Sequence, residues 1–457
     1  MSKQIDLTTG SITGKLIKLS IPIMGVSFIQ TAYSLIDMIW IGRIGASATA
    51  AVGTAGLFMW LAEAFIMLSK LGASIKVSQS VGRREYDRTK NYITSALQMN
   101  LVIAFIYGLF LLVFNKSLIG FFNLGEADVI SMARTYLIVV AIAMPFFFTG
   151  PVFSAIFNSI GDSKTPFIIN TIGLVFNIVF DPILIFGLCG FPAMGVLGAA
   201  LATVLAQMIV TLCFIIVTLK RKISYFSLKL WVKPKWDTIK EIAIIGVPGG
   251  VQSGIYTTIA MILGRIIANW GSDAIAAQKI GSQIESISWM TAGGFSTAVS
   301  TYVGQNFGAG KQDRIEKGIK TTLFMALGVG TFATLLLLVA GDQLMRIFID
   351  DVNTINIGKE YLLILGYSQL FMCIEITIAG AFNGLGRTYL PNAITIVLTA
   401  MRIPLALVLS KYMGLSGVWW SISITSVIKG IVLMLVYLYL KGKNKLIRFK
   451  DVVAVEK

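Results

Sequence analysis

Apolar runs of twenty or more residues, separated by short polar connections, recur along the whole chain and leave it few ways to fold. They fall at about 16–41, 48–73, 93–115, 129–156, 166–188 and 196–219, then at about 241–268, 274–300, 321–341, 356–382, 392–412 and 417–440. About 20 apolar residues in a helix match the hydrocarbon thickness of a bilayer. Lipid offers no partner to unpaired backbone groups, so runs this long are helices rather than barrel strands. The predicted fold class is all-α and polytopic, with twelve transmembrane helices in two pseudo-symmetric six-helix bundles. Composition agrees: 56 % of the 457 residues are apolar and 13 % charged, against roughly 45–50 % and 25 % in soluble domains.

The domain plan that follows is a first bundle over 1–219, a basic connector over 220–240, a second bundle over 241–440 and a basic tail over 441–457. Lysine and arginine set the orientation. The N-terminal segment and alternate connections carry 27 of them, and the opposite connections 6. That bias predicts a multi-pass plasma-membrane protein with both termini in the cytoplasm. The net charge of +16 comes from these loops, with no basic stripe interleaved with stacking aromatics, so nucleic acid is not an expected partner. Three scattered cysteines, Cys189, Cys213 and Cys373, give neither a disulfide framework nor a metal site. There is no histidine, so zinc chemistry and imidazole relays are closed and proton handling falls to carboxylates. Neither His-Glu-x-x-His nor Gly-x-Ser-x-Gly occurs, and no enzyme is expected.

The halves repeat each other. A shift of 226 residues aligns Pro22 with Pro248, Gly45 with Gly271, and Val77, Gln79, Gly82, Asp87 and Arg88 with Val303, Gln305, Gly308, Asp313 and Arg314. A shift of 225 aligns Asn158, Gly161 and Pro166 with Asn383, Gly386 and Pro391; one of 219 pairs Gly195-x-x-Gly198 with Gly414-x-x-Gly417. Parallel repeats of six crossings point to a transporter with its site between or within the halves.

An ionised carboxylate in a bilayer core costs several kcal/mol and is a functional candidate by default. The candidates are Asp37, Glu63, Asp181, Glu285 and Glu375. Asp37 follows Pro22, and Asp181 follows Pro166, by 15 residues. At 1.5 Å per residue both lie ~22 Å from a similar level, and Thr203 lies roughly 12 Å into its helix from the other side. The three converge in depth. Asn177, four residues before Asp181, shares its helix face, and Gln30, Tyr33 and Asp37 form one polar stripe. Two carboxylates, an amide oxygen and a hydroxyl suit a hard cation or a shared proton. The bland reading is a polar cluster that holds three helices together. Glu285 and Glu375 have Lys279, Arg402 and Lys429 as cationic company and read first as paired buried charges. Glu63 reads equally as a coupling group or a helix–helix hydrogen bonder. Pro22, Pro182, Pro248 and Pro404 are candidate kinks.

These residues resemble the multidrug and toxic compound extrusion (MATE) family. The resemblance runs over essentially the whole chain: Ile21-Pro22 and Asp37, Val303-Gly304-Gln305-Asn306-Phe307-Gly308-Ala309-Gly310, Asn158 to Pro166, Asn177-x-x-x-Asp181-Pro182 and Gly195 to Thr203. It implies two six-helix bundles in a V around a central cavity, alternating between outward and inward openings. It implies multidrug efflux, the source of antibiotic resistance, by antiport: organic, often cationic compounds leave in exchange for Na+ or H+. The family's cation site falls on Asp37, Asn177, Asp181 and Thr203, which would be the metal ligands if the ion is Na+. Gln30 and Tyr33 fall on its hydrogen-bond network, and Pro22 on a first-helix proline whose bending has been linked to protonation. The seventh helix has Gln252 and no carboxylate after Glu241, unlike the branch typified by NorM. The resemblance is therefore to the branch with DinF-like and MepA-like proteins, coupled through the first bundle, with Glu63, Glu285 and Glu375 as secondary carboxylates. No cofactor beyond the coupling ion is expected, and a monomer is the expected unit. The alternative within the superfamily is a flippase for a lipid-linked saccharide or precursor.

Overall fold

The computed structural model describes residues 4–122, 124–221, 226 and 230–447. Parts of the expected basic connector and tail lie outside the described residues. The described first half holds α1 (Ile12–Gly42), α2 (Ala46–Arg83), α3 (Tyr86–Gly120), α4 (Ala127–Ile142), α5 (Met144–Ser159), α6 (Lys164–Phe186) and α7 (Val196–Arg221). The second holds α8 (Trp236–Ile267), α9 (Ser272–Gly308), α10 (Gln312–Arg346), α11 (Val352–Gly384), α12 (Tyr389–Ala400), α13 (Arg402–Met413) and α14 (Leu415–Gly442). Among the described residues there is no strand.

The duplication extends to the helix boundaries. The starts of α3, α6 and α7 coincide with those of α10, α12 and α14 under the same 226-, 225- and 219-residue shifts. The halves differ in which helix is interrupted. The expected crossing 129–156 is broken at Ala143 into α4 and α5, bent by 55°, because Pro145 lacks an N–H and crowds the preceding turn. Its counterpart α11 has Leu370 at that repeat position and runs unbroken. Conversely, Pro404 lies just past the break between α12 and α13, whereas the matching α6 has Val179 there and continues through Pro182.

Among the described residues, ten helices or helix pairs are long and apolar enough to cross a membrane, eleven with the bent α4–α5 pair. The twelfth expected crossing, 274–300, lies in α9. It is long enough at 37 residues, but its polar side chains keep it out of that count. The fold class stands: an all-α polytopic chain in two repeated halves.

The chain divides into two compact units. Unit 1 contains Met1–Ile5 and Gly25–Gly250; unit 2 contains Asp6–Met24 and Val251–Lys457. Both divisions inside a helix obey the 226-residue shift: Met24/Gly25 in α1 and Gly250/Val251 in α8. Local contacts explain why each unit keeps the first part of the helix that opens the other half. In unit 1, Glu241 near the start of α8 accepts from Lys76 Nζ and Tyr92 Oη, each at 2.6 Å, and faces Arg88 at 3.9 Å. In unit 2, Arg314, the repeat partner of Arg88, donates to the carbonyls of Leu7, Thr9 and Gly10 at 3.0–3.1 Å. Asn306 adds a bond to Leu7 O at 3.2 Å, and Lys311 one to Thr8 O at 2.9 Å.

Each unit has its own apolar interior. In unit 1 the buried side chains of α2 to α7 include Phe148, Phe153, Phe157 and Phe214. In unit 2, Trp419 is buried against Tyr361 in an edge-to-face pair with ring centres 5.3 Å apart. The broad exposed apolar surface, including Phe105, Ile106, Phe332 and Val339, is what a lipid-facing helix presents.

Candidate functional site

In unit 1 the turn after α6 sets the geometry. Gly187 ends that helix in the left-handed region at φ 75°, and the N–H groups of Met194 and Gly195 return to the carbonyls of Leu184 and Ile185 at 3.1 Å. Gly198 then lies so close to α6 that a Cβ on it would meet Leu184 O at 2.3 Å. This contact brings α7 down along α6 and turns Thr203 toward the carboxylates.

Four side chains from three helices meet there. The Thr203 hydroxyl lies 3.3 Å from Asp37 Oδ2 and reaches back to Ala199 O at 2.9 Å. Asn177 Nδ2 donates to Asp181 Oδ1 at 3.0 Å. The Asp37 and Asp181 carboxyl groups are neighbours. Asn177 and Asp181 are fully buried. Four oxygens at this spot are buried without a hydrogen-bond partner: Asp37 Oδ1, Asp181 Oδ2, Asn177 Oδ1 and the Tyr33 hydroxyl. Tyr33 fits because Gly173 on α6 has no side chain; a Cβ there would stand 2.3 Å from the hydroxyl.

Buried polar atoms without partners are destabilising unless something satisfies them. Two adjacent carboxylates in low dielectric cannot both stay ionised without a counter-charge. The arrangement therefore calls for a cation or a proton among these oxygens. With two acids beside an amide and hydroxyls, the donor set suits a monovalent ion or a shared proton; no group of three His, Cys, Asp or Glu fit to hold a metal occurs among the described residues.

The remaining sequence-derived positions separate. Gln30 is exposed and joins none of the hydrogen bonds of this cluster. Pro22 lies inside α1, in the stretch that belongs to unit 2. Glu63 pairs with Lys70 at 3.0 Å, two turns along its own helix. Glu285 accepts from Tyr361 Oη and Gln369 Nε2, both at 3.0 Å. Glu375 forms a buried ion pair with Lys429 at 3.0 Å and receives Thr395 Oγ1 at 3.2 Å. Sequence reasoning missed Tyr136 on α4, a buried phenol near Thr203 and within electrostatic reach of the two aspartates; as a lone tyrosine in an apolar run it carries no local signal. It also missed the Arg221–Asp162 pair at 2.7 Å, which ties the end of α7 to the loop before α6.

Comparison with known proteins places the chain in a family. The MatE family model matches residues 22–183 and 248–408, two segments that begin at the repeat-related Pro22 and Pro248. The chain is 30 % identical over 411 residues to a probable multidrug resistance protein NorM of Thermotoga maritima, covering 89 % of this chain and 88 % of that protein. It is 24 % identical over 428 residues to the multidrug export protein MepA of Staphylococcus saprophyticus, covering 93 % of each. A crystal structure of a MATE protein in a straight conformation superposes with a TM-score of 0.87 at 22 % identity, over 98 % of both chains. With the matched segments spanning well over half of its length, the chain belongs to the multidrug and toxic compound extrusion (MATE) family of transporters.

Proposed function

We propose that this transporter is a multidrug antiporter that exports organic, often cationic compounds by alternating access, driven by Na+ or H+ entering at Asp37, Asn177, Asp181 and Thr203. The observation that carries this reading is the set of four buried, unpartnered oxygens around two neighbouring carboxylates. An empty site leaves that charge uncompensated, and loading it with one cation or proton removes the imbalance. Neutralising a carboxylate at membrane depth is worth several kcal/mol. Inverting a two-state population from 1:99 to 99:1 takes about 5.5 kcal/mol, so one loading event is of the right size to bias an outward against an inward state. Tyr33 and Tyr136 offer hydroxyls that follow the ion or proton, and the lysine and arginine bias favours both termini in the cytoplasm.

The test is efflux of ethidium from vesicles holding the purified protein, under separately imposed Na+ and H+ gradients. Gradient-driven efflux lost in Asp37→Asn is expected, and the effective gradient names the ion. Full efflux in a well-folded Asp37→Asn protein contradicts the assignment. No efflux under either gradient with intact wild-type protein points instead to a lipid-linked substrate and a flippase.

A further inference from the structure

The connector between α7 and α8 lies outside both segments that match the family model, and its described part is fastened along α3. Gln98 donates from its side-chain amide to two successive carbonyls of one face, with Nε2 2.8 Å from both Leu230 O and Val232 O. Asn91 Oδ1, seven residues earlier on α3, accepts from Lys235 Nζ at 3.0 Å. On the protein side, the Phe226 ring lies 5.0 Å from that of Phe157, and Leu230 packs on the same apolar interior. Between these holds Trp231 is fully exposed, and Trp236, where α8 begins, is three-quarters exposed.

The position of Gln98 sets the depth. Residues 91–115 of α3 carry no charge; at 1.5 Å per residue they span about 37 Å, against a hydrocarbon core of about 30 Å. Asn91 therefore stands at headgroup level, and Gln98, about 10 Å further along, lies just inside the hydrocarbon edge. Gln98 shares its face of α3 with Val102, Phe105 and Leu109, at steps of four, three and four residues. All three are more than half exposed, as lipid-facing side chains are. The connector thus dips along the lipid-facing side of α3. Carbonyls at this depth need a partner within the protein, and one glutamine amide supplies it to two of them. Pro234 has no N–H to satisfy. Tryptophan concentrates at the boundary between headgroups and hydrocarbon. Lys233, Lys235 and Lys240 outnumber Asp237 in residues 230–240, an excess that complements anionic headgroups.

We propose that this connector is an interfacial anchor. Trp231 and Trp236 seat in the boundary of the leaflet on the lysine- and arginine-rich side, and Lys233 and Lys235 hold the phosphates of anionic lipids there. Gln98 is the positioning residue, because it keeps the backbone of the dip satisfied. Lipid is the occupant that fits: the surface continues the exposed apolar stripe of α3, at a depth a soluble partner does not reach.

A nitroxide on position 232 of the full-length chain tests this without any transport. Its carrier is Val232→Cys with Cys189→Ser and Cys213→Ser, which keeps Trp231 and leaves the buried Cys373 in place. Asp87→Cys in the same background, at a side chain that is 95 % exposed near the start of α3, is the reference for water. Both are reconstituted in phosphatidylcholine and in an equal mixture with phosphatidylglycerol. Power saturation then compares collisions with oxygen, which concentrates in lipid, and with a neutral nickel chelate, which stays in water. The oxygen-to-nickel ratio at position 232 is expected to exceed that at position 87 several-fold in the mixed vesicles. Omitting phosphatidylglycerol is expected to lower it, since seating weakens by roughly five-fold per lysine. Lys233→Gln with Lys235→Gln is expected to remove the dependence on lipid, and Trp231→Ala to lower the ratio in both lipids. Gln98→Leu is expected to return position 232 toward the value at position 87. Equal ratios at the two positions in both lipids overturn the anchor and leave the surface free for a soluble partner. A high ratio that ignores phosphatidylglycerol overturns the role of the lysines, and one that survives Gln98→Leu in protein of wild-type melting behaviour overturns that of Gln98. The readout uses no ion gradient, so neither result depends on ethidium export.

Discussion

The same pair of repeat positions is filled in opposite ways in the two units. In unit 1, Val210 on α7 lies 3.5 Å from where a side chain on Gly150 would begin. In unit 2 the corresponding positions hold Lys429 and Glu375 as an ion pair at 3.0 Å. At the neighbouring positions the assignment reverses, with Asp37 and Asp181 in unit 1 and Leu263 and Ala406 in unit 2. Duplication supplied two equal scaffolds. Unit 1 keeps acids without a fixed counter-charge, as the proposed ion coupling requires; unit 2 carries arginine and lysine of its own. A site able to respond to an ion must lack a built-in cation, and that condition holds in unit 1.

The contrast can be broken most forcefully at Lys429. Lys429→Met leaves Glu375 buried without a counter-charge and is expected to cost about 3–5 kcal/mol, whereas Lys429→Met with Glu375→Leu is expected to recover most of that. Thermal unfolding in detergent measures both; a single variant as stable as wild type would show that the pair is not a structural lock. The matching change in unit 1 has the opposite sign. Asp181→Asn removes an uncompensated acid and is expected to leave the melting temperature unchanged or raised, and a large drop would mean that the aspartates hold the helices together.

Smaller effects sharpen the comparison. Gly173→Ala places a methyl group against the Tyr33 hydroxyl and Val210, at 2.3 and 2.4 Å. Overpacking of this kind costs typically 1–3 kcal/mol, and ion-driven export should suffer with it. The repeat position in unit 2 already holds Leu398, so Leu398→Ala is expected to leave ion coupling intact. Glu241→Gln weakens the half-exposed cluster with Lys76, Tyr92 and Arg88 and is expected to cost about 1 kcal/mol, since exposed pairs are screened.

The smallest effect lies at the starts of α4 and α11. Asp351 caps α11 by accepting from Thr354 N at 2.7 Å, whereas its repeat partner Glu126 makes no side-chain cap on α4. The Thr354 backbone N–H holds the Asp351 carboxyl below its ordinary range. With the folded value depressed, its contribution is complete above the unfolded carboxylate value of 3.8 and fades as pH falls through the folded one. Asp351→Ala should therefore lower the melting temperature slightly at neutral pH and not at strongly acid pH, and Glu126→Ala at neither.

Much of this was legible in the sequence because the relevant signals are one-dimensional. Helix extents follow from apolar runs, the duplication from constant offsets, and the meeting of Asp37, Asn177, Asp181 and Thr203 from counting residues along known helix directions. What a single helix does not encode was lost. Gln30 shares the spacing of Tyr33 and Asp37, yet it is exposed, because spacing fixes a stripe and not its depth in the packing. Glu63 has its partner two turns along the same helix, a pairing that residue type alone does not select. The break at Ala143 depends on Pro145, while Pro182 leaves α6 unbroken, so proline marks possible bends without choosing among them. Tyr136 comes near Thr203 through the packing of α4, which no local pattern records.

The central claim is that the ion-responsive chemistry resides in unit 1 while the acids of unit 2 have other partners. Its most direct test is ion-gradient-driven efflux of ethidium by Asp181→Asn and Glu285→Gln proteins, reconstituted at equal density with equal melting temperatures. Efflux abolished in Asp181→Asn and still responsive to the gradient in Glu285→Gln is the expected result. Driven efflux retained in Asp181→Asn and lost in Glu285→Gln would contradict the account and move the coupling site to unit 2.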